Sequence, residues 1–271
     1  MSEAIQAHNT KAANTWSSAG EHYDDISRSI SDAIEHCIQR LAPAGKERVL
    51  DLACGTGWTS RAVLGVAPNA LVTGADIADG LLGAARARAR AANLSIDYEL
   101  ADAERLPYAN GAFDVVVSTF GIMFTAKPEV AAAELARVCK KGGRIGLTTW
   151  LPDSTVFEMF TVMKAYMPSP PSPPPPSPFA WGKRERVIEL LAEHFDLGFE
   201  EGISTTRAPS AEAAWEWWLR CYGPIRTLAA NLDDERRLAF KKDMIAFHDR
   251  YKSELGIAAP RKYLVTIGRR K

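Results

Sequence analysis

Cysteine is sparse in this 271-residue chain, and its four copies, Cys37, Cys54, Cys139 and Cys221, lie far apart with no C-x-x-C pair. That spacing argues against a zinc site or a disulfide framework, so no metal is expected. Charge of either sign is not in surplus, because 33 Lys and Arg balance 33 Asp and Glu. The chain therefore lacks both the overall basic field that draws nucleic acid and the acidic excess of a solvating tail, and nucleic acid is not expected as a partner. The densest basic stretch, Arg86-Ala87-Arg88-Ala89-Arg90, reads as the solvated face of a helix. No apolar run approaches the roughly 18 residues of a membrane span, and the opening Met1-Ser2-Glu3-Ala4 leads into a polar segment without a signal core. No membrane partner is expected, and the expected location is cytoplasmic. The glycosylation sequon Asn93-Leu94-Ser95 carries no weight without a secretory signal. Internal repeats are absent. Histidine is scarce too: His8, His22, His36, His194 and His248 show no catalytic spacing, and no catalytic residue is assigned from them.

What is present is an ordinary globular composition, 46% hydrophobic and 24% charged. The length suits one α/β domain with a helical addition. Ile26, Ile30, Ala33, Ile34 and Ile38 recur at helical spacing, with Leu41 after them and Pro43-Ala44-Gly45 as a stop. Trp16 and Tyr23 precede this helix in a segment too polar to be core by itself. From residue 49 onward strand and helix signals alternate. Expected strands are 49–53, 71–77, 96–100, 113–119 and 143–150; expected helices are 58–66, 78–93 and 128–139, the last ended by Gly142-Gly143. The alternation predicts a parallel sheet with helices on both faces. Residues 168–178 hold eight prolines in eleven positions and predict a stiff extended loop. Helix is expected again over 183–195, strand over 199–207, mostly helix over 210–251, and a last strand over 263–267.

The most informative stretch is Val49-Leu50-Asp51-Leu52-Ala53-Cys54-Gly55-Thr56-Gly57. A strand must turn sharply into a helix there. Glycine tolerates positive φ and lets a ligand approach the backbone, and the helix amides that follow offer donors to an anionic group. Ser60 stands where the dinucleotide fingerprint G-x-G-x-x-G has its third glycine, which weakens a nicotinamide reading. Asp76 ends the next strand about 20 residues on, the offset at which an acid reaches a ribose diol. Ile77 beside it offers a surface for an adenine face; the other reading of Asp76 is a helix N-cap. Asp102-Ala103-Glu104 follows the third strand, either as an acceptor for an adenine amino group or as a surface turn.

The ordered set Leu50-Asp51-Leu52-Ala53-Cys54-Gly55-Thr56-Gly57, Gly74-Ala75-Asp76-Ile77, Ala101-Asp102-Ala103-Glu104-Arg105-Leu106-Pro107 and Phe113-Asp114-Val115-Val116, with Gly142-Gly143-Arg144 behind it, resembles the class I S-adenosylmethionine-dependent methyltransferases. The resemblance is to their ubiquinone/menaquinone-biosynthesis-like (type 11) branch and covers about residues 45–150. It implies a Rossmann-like, mostly parallel seven-stranded sheet closed by an antiparallel pair, here 199–207 and 262–267. It implies S-adenosyl-L-methionine as cofactor, with the methionine part of the donor at Asp51, Ala53, Gly55 and Gly57, ribose at Asp76, adenine at Asp102 and Ala103, and Thr119 and Phe120 facing donor and acceptor. Trp16 and Tyr23 are then candidates for a closing segment. The implied organisation is a single domain over 1–271, with an N-terminal helical lid (1–45), a donor-binding core (46–150), the Pro-rich loop (168–178) and a helical cap insertion (209–257).

The expected function is in-line methyl transfer to a small-molecule acceptor. A nicotinamide-dependent oxidoreductase and a non-catalytic S-adenosylmethionine-binding module are the alternatives. Trp215, Trp218, Leu219 and Tyr222 share one helix face. This stripe either packs the insertion onto the core or lines an apolar acceptor pocket with Phe120, Met123, Phe124 and Trp150.

Overall fold

The computed structural model describes residues 4–172 and 174–271. Its sheet follows the path β3-β2-β1-β4-β5-β8-β6. The strands are β1 (Arg48–Leu52), β2 (Leu71–Asp76), β3 (Asp97–Leu100), β4 (Phe113–Thr119), β5 (Cys139–Trp150), β6 (Phe195–Ala208), β7 (Lys252–Ser253) and β8 (Gly256–Arg270). The first five pair in parallel; β8 runs antiparallel to both β5 and β6. The expected seven-stranded path is therefore present, and the two-residue β7 pairs with β8 off that path.

Strands β1 and β4 are mostly apolar at their centres, Asp51 excepted, because both faces are covered. Val49, Leu50, Val115, Val116 and Val117 have no exposed surface. The helices are α1 (Thr10–Ser17), α2 (Tyr23–Ser29), α3 (Ser31–Leu41), α4 (Trp58–Val66), α5 (Asp79–Ala91), α6 (Pro128–Val138), α7 (Thr155–Lys164), α8 (Arg184–Leu191), α9 (Ala211–Cys221), α10 (Gly223–Ala230) and α11 (Asp234–Asp249). They cover both faces of the sheet. Helix α3 lies on β5 so closely that a Cβ at Gly146 would sit 3.0 Å from Leu41 and 3.1 Å from Cys37.

Several local expectations are corrected. The apolar stripe from Ile26 to Leu41 is two helices, broken at Ile30, whose φ of −123° interrupts the ladder. Helix α3 ends at Leu41 with Ala42 left-handed, ahead of Pro43. Gly142-Gly143 does not end α6, which stops at Val138. The pair sits inside β5, where the register against β4 shifts between Phe113 and Val115. Gly142 has φ +76°, and a Cβ at Gly143 would lie 2.7 Å from the Asp114 carbonyl, so the glycines serve this bulge. The strand expected over 199–207 is longer, Phe195–Ala208, and its partner spans Gly256–Arg270. Helix α7 is unanticipated: its Thr-Val-Phe-Glu-Met-Phe-Thr-Val run is rich in strand-forming residues. Ser154 caps it by accepting the Val156 amide, and Val156, Met159 and Met163 are buried beneath it.

The described residues of the 168–178 loop form no helix or strand before a short 3₁₀ turn over Pro178–Gly182; Pro173 lies outside the described residues. Helices α9, α10 and α11 are inserted between β6 and β8. They meet the N-terminal helices directly. A Cβ at Gly223, which opens α10, would lie 2.3 Å from the Thr15 carbonyl of α1, and Ser18 Oγ bonds Thr227 at 3.2 Å. N-terminal helices and insertion thus form one roof over the ends of the parallel strands. Among the described residues no helix is long and apolar enough to cross a membrane.

Candidate active site

The chain order reverses between β1 and β4: one side of β1 continues to β2 and β3, the other to β4 and β5. Crevices outside the carboxyl ends of strands at such a switch point are where open α/β sheets bind ligands. A cavity opens there. Its walls include Ala53, Cys54 and Gly55 after β1, Asp76 and Ile77 after β2, Asp102 and Ala103 after β3, and Thr119, Phe120 and Gly121 after β4. Trp16 and Tyr23 close it from the N-terminal helices.

The turn after β1 is unusual backbone. Ala53 (φ +55°), Gly55 (+55°) and Gly57 (+75°) are all left-handed, as is Phe120 (+59°) across the switch point. Ala53 and Phe120 carry side chains that disfavour this conformation, and residues so held concentrate at ligand sites. Gly57 needs to be glycine twice over, since a Cβ there would also lie 2.1 Å from the Tyr98 hydroxyl. The neighbouring Gly121 lets β4 approach the turn, because its Cβ would meet that of Ala53 at 2.4 Å.

Asp76 is 7% exposed and holds this turn in place. Its Oδ2 accepts the Gly55 amide and its Oδ1 the Ala78 amide, both at 2.8 Å. Burial pushes its carboxyl pKa up, while the amide bonds from Gly55, Ala78 and Ile77 oppose the shift. Asp76 lines the cavity but is not the N-cap of α5, which is Ala78; it supports that helix start from two residues before by accepting the Ala78 amide. Asp102, 1% exposed, accepts three donors at 2.9 Å: the Gln6 amide, Asn9 Nδ2 and the Glu104 amide. It is a buried junction between the third strand and the N-terminal segment, not a surface turn.

Nine of the eleven residues expected at the donor line this cavity: Tyr23, Ala53, Gly55, Asp76, Ile77, Asp102, Ala103, Thr119 and Phe120. Asp51 and Gly57 lie behind the wall. Asp51 accepts from Ser60 Oγ at 2.5 Å, so the serine standing in place of a third glycine partners a buried acid. Burial raises the Asp51 pKa to about 7 against the opposing hydrogen bond.

Sequence reasoning missed Asn9, Trp58, Thr59 and Thr125 on the wall. It also missed Asp24, the hub that ties α2 to the glycine turn. Asp24 accepts from Thr56 Oγ1 and Arg61 Nη2, each at 2.8 Å, and pairs with Arg88 Nε at 2.9 Å. No local pattern marks these long-range partners. Arg88 belongs to the stretch expected to be merely solvated.

A second, smaller chamber adjoins the first and shares Trp16, Tyr23, Ile30, Phe120 and Phe124 with it. Ile26, Trp150, Val156, Met159, Trp218, Tyr222 and Arg261 complete its wall. The indole of Trp150 stacks on Phe120 with centroids 3.8 Å apart, and Trp16 meets Tyr222 edge-on at 5.5 Å. Trp16 and Tyr23, read as too polar a segment for core, are packed against it. The aromatic stripe of α9 divides. Trp218 and Tyr222 face this chamber, whereas Trp215 packs on Phe240 of α11 at 5.3 Å. Met123 is buried in the core and is not on the chamber wall. Burial pushes the Tyr23 and Tyr222 hydroxyl pKa values up, so neither is a ready base. Among the described residues no His, Cys, Asp and Glu cluster is placed to hold a metal ion.

Residues 49–143 match a family described as a methyltransferase domain. Two Mycobacterium tuberculosis proteins, both named only as uncharacterized, are similar over longer stretches. Rv1403c is 34% identical over 180 residues, 66% of this chain and 65% of its own length, so the chain spans just under two thirds of that relative. Rv1405c is 33% identical over 198 residues, 72% of this chain and 71% of its own. The demethylmenaquinone methyltransferase of Thermus thermophilus is 37% identical over 142 residues, 51% of this chain and 64% of that protein. The fold is shared with Haemonchus contortus phosphoethanolamine N-methyltransferase 2, solved with S-adenosyl-L-methionine, at a TM-score of 0.55 and 16% identity over 89% of this chain and 53% of that one. The glycine turn and the ordered acids lie within the matched residues 49–143, and over that stretch the chain carries a methyltransferase domain of the class I S-adenosylmethionine-dependent family.

Proposed function

We propose that the protein methylates a small apolar or aromatic molecule held in the inner chamber, with the donor in the switch-point cavity. The carrying observation is the shared wall: five residues border both spaces, so a donor and an acceptor lodged there meet across Phe120, Tyr23 and Trp16.

The donor supplies a sulfonium-activated methyl group; in transfer the C–S bond breaks, its electron pair stays on sulfur, and an acceptor lone pair forms the new bond. This chain's residues do the rest. The turn with left-handed Ala53, Gly55 and Gly57 cradles the amino-acid end, and Asp51 supports that cradle from behind through Ser60. Asp76 takes the ribose diol, Ile77 packs on adenine, and Asp102 with the Ala103 amide addresses its edge. Residues 1–45 act as a lid and 209–257 as a cap, excluding water from the reacting atoms, with residues 46–150 as the donor-binding core. Holding two reactants in line accounts for roughly 7–11 kcal/mol of barrier lowering. A positioned base adds about 10²–10⁴-fold. Positioning is the larger contribution, and the aromatic chamber is built for it.

The test is calorimetric titration with S-adenosylhomocysteine and with NADH, followed by mass spectrometry of small-molecule extracts incubated with labelled donor. Binding of the homocysteine compound alone, with one labelled methyl gained by a small molecule, is the expected result. Donor binding without turnover on any extract would favour a non-catalytic binding module and overturn the reading.

A further inference from the structure

The inner chamber is almost entirely apolar and aromatic, yet one cation is built into it. Arg261 on β8 lines the chamber and is 2% exposed. Its Nη1 donates to Ser29 Oγ at 3.1 Å, and its Nη2 donates to the Ser29 carbonyl and to Ser204 Oγ, the latter at 3.0 Å. All three partners are neutral. Among the described residues no carboxylate lies within ion-pairing distance. Asp32, an exposed acid, attracts the guanidinium only through space; its own hydrogen bonds come from Ser204 Oγ at 2.8 Å and the Ala33 amide at 2.9 Å. The Arg261 Nε has no partner at all, and neither has Nε1 of Trp218, a second residue of the same wall.

Burying a guanidinium with no carboxylate in direct contact is costly, a through-space acid such as Asp32 offsets only part of that cost, and each unsatisfied buried donor adds to it. Burial pulls the Arg261 pKa down to about 10, which leaves it charged at neutral pH. Trp150, with its ring 5.8 Å from the guanidinium carbon, supplies cation–π attraction but accepts no conventional hydrogen bond. The other ionisable groups of the wall, Tyr23 and Tyr222, are phenols whose pKa values burial raises, so they remain neutral.

We infer that the acceptor is an aromatic or similarly flat carboxylic acid, whose carboxylate is anchored by Arg261 Nε and Trp218 Nε1 while its apolar body lies among the chamber's rings. This rests on the methyltransferase reading above and adds the acceptor's chemical class. The carboxylate is the handle that orients the acceptor.

The experiment uses the full chain saturated with S-adenosylhomocysteine and titrates matched acid and amide pairs, benzoate with benzamide and indole-3-carboxylate with its amide, by calorimetry. At least one acid should bind about tenfold or more tightly than its amide, as a charge-assisted contact requires. Arg261→Gln should abolish that preference. Trp218→Phe, which keeps an aromatic ring but removes the indole N–H, should reduce that preference severalfold by weakening acid binding more than amide binding; this variant decides the matter if Arg261→Gln fails to fold. Acids and amides binding alike, or no binding by any pair with S-adenosylhomocysteine bound, would overturn the carboxylate assignment alone. Failure of S-adenosylhomocysteine itself to bind would overturn the methyltransferase reading and this inference with it.

Discussion

Asn9 Nδ2 donates to Asp102 Oδ2 at 2.9 Å, joining two residues 93 positions apart in the chain. The same carboxylate oxygen accepts the Gln6 amide, so the N-terminal segment is latched onto the acid proposed to serve the adenine. Asn9→Ala deletes one buried, charge-assisted bond, worth about 1.5–3 kcal/mol. The expected outcome is faster proteolysis within residues 4–29 and a higher dissociation rate for S-adenosylhomocysteine. A proteolysis pattern unchanged from wild type would show that the latch contributes nothing to closure.

Asp76 uses both carboxylate oxygens to fix the glycine turn and the start of α5. Asparagine offers one acceptor and turns an NH₂ group toward a backbone N–H. Asp76→Asn should weaken S-adenosylhomocysteine binding about 10–100-fold, the equivalent of losing one or two such contacts. Thermal unfolding of the ligand-free protein separates lost binding from lost folding. Wild-type affinity in a folded variant would remove Asp76 from the donor site.

Asp51 gives a pH signature. Its pKa stands near 7 in the folded protein against 3.8 as the reference for an unfolded chain. Between about pH 4 and 7 the folded state therefore holds a proton that the unfolded state has released. Stability contributed by this group is lost as pH rises through that window, and the full penalty applies above it. Asp51→Asn still accepts from Ser60 but does not titrate. The difference in Tm, variant minus wild type, should grow more positive from pH 4.5 to pH 8, by about 2–4 °C for each kcal/mol relieved. A difference flat across that range would mean Asp51 is ionised in the fold at low pH.

Gly57→Ala places a methyl group against Tyr98 in a left-handed conformation. Overpacking of this kind costs about 1–3 kcal/mol, with about 1–2 more for the backbone. Tyr98→Leu in the same chain should recover the packing share but not the backbone share. A double-mutant cycle on denaturant unfolding measures the split, and strict additivity would contradict the contact.

The wall of the switch-point cavity was legible because its residues lie in short, ordered motifs: a glycine turn, then an acid at or just after the end of each of the next two strands. Asp76 and Asp102 occupy those places. What could not be read has long-range causes. Asp24 acquires its role only through Thr56, Arg61 and Arg88, and no spacing within residues 20–30 reports that. Helix α7 was lost because Val156, Phe157, Phe160 and Val162 suit a strand as well as a buried helix, and tertiary packing against α11 and β8 decides between them. On α9, helical spacing grouped Trp215 with Trp218, but only the placement of α11 shows that Phe240 claims the first. Arg261 carried no signal at all: its isolation from acids is a property of the folded interior.

The insertion leaves the sheet at Ala208 and returns at Ile257, and these two residues face each other across β6 and β8. The ends of nearly fifty residues are thus pinned side by side by a ribbon that already exists without them. Exchanging, shortening or redesigning that excursion closes no new loop and leaves the strand ends carrying Asp76 and Asp102 untouched. The sheet and the excursion are thus mechanically separable: the ribbon that holds Arg261 stands whether or not the helices between its strands are kept.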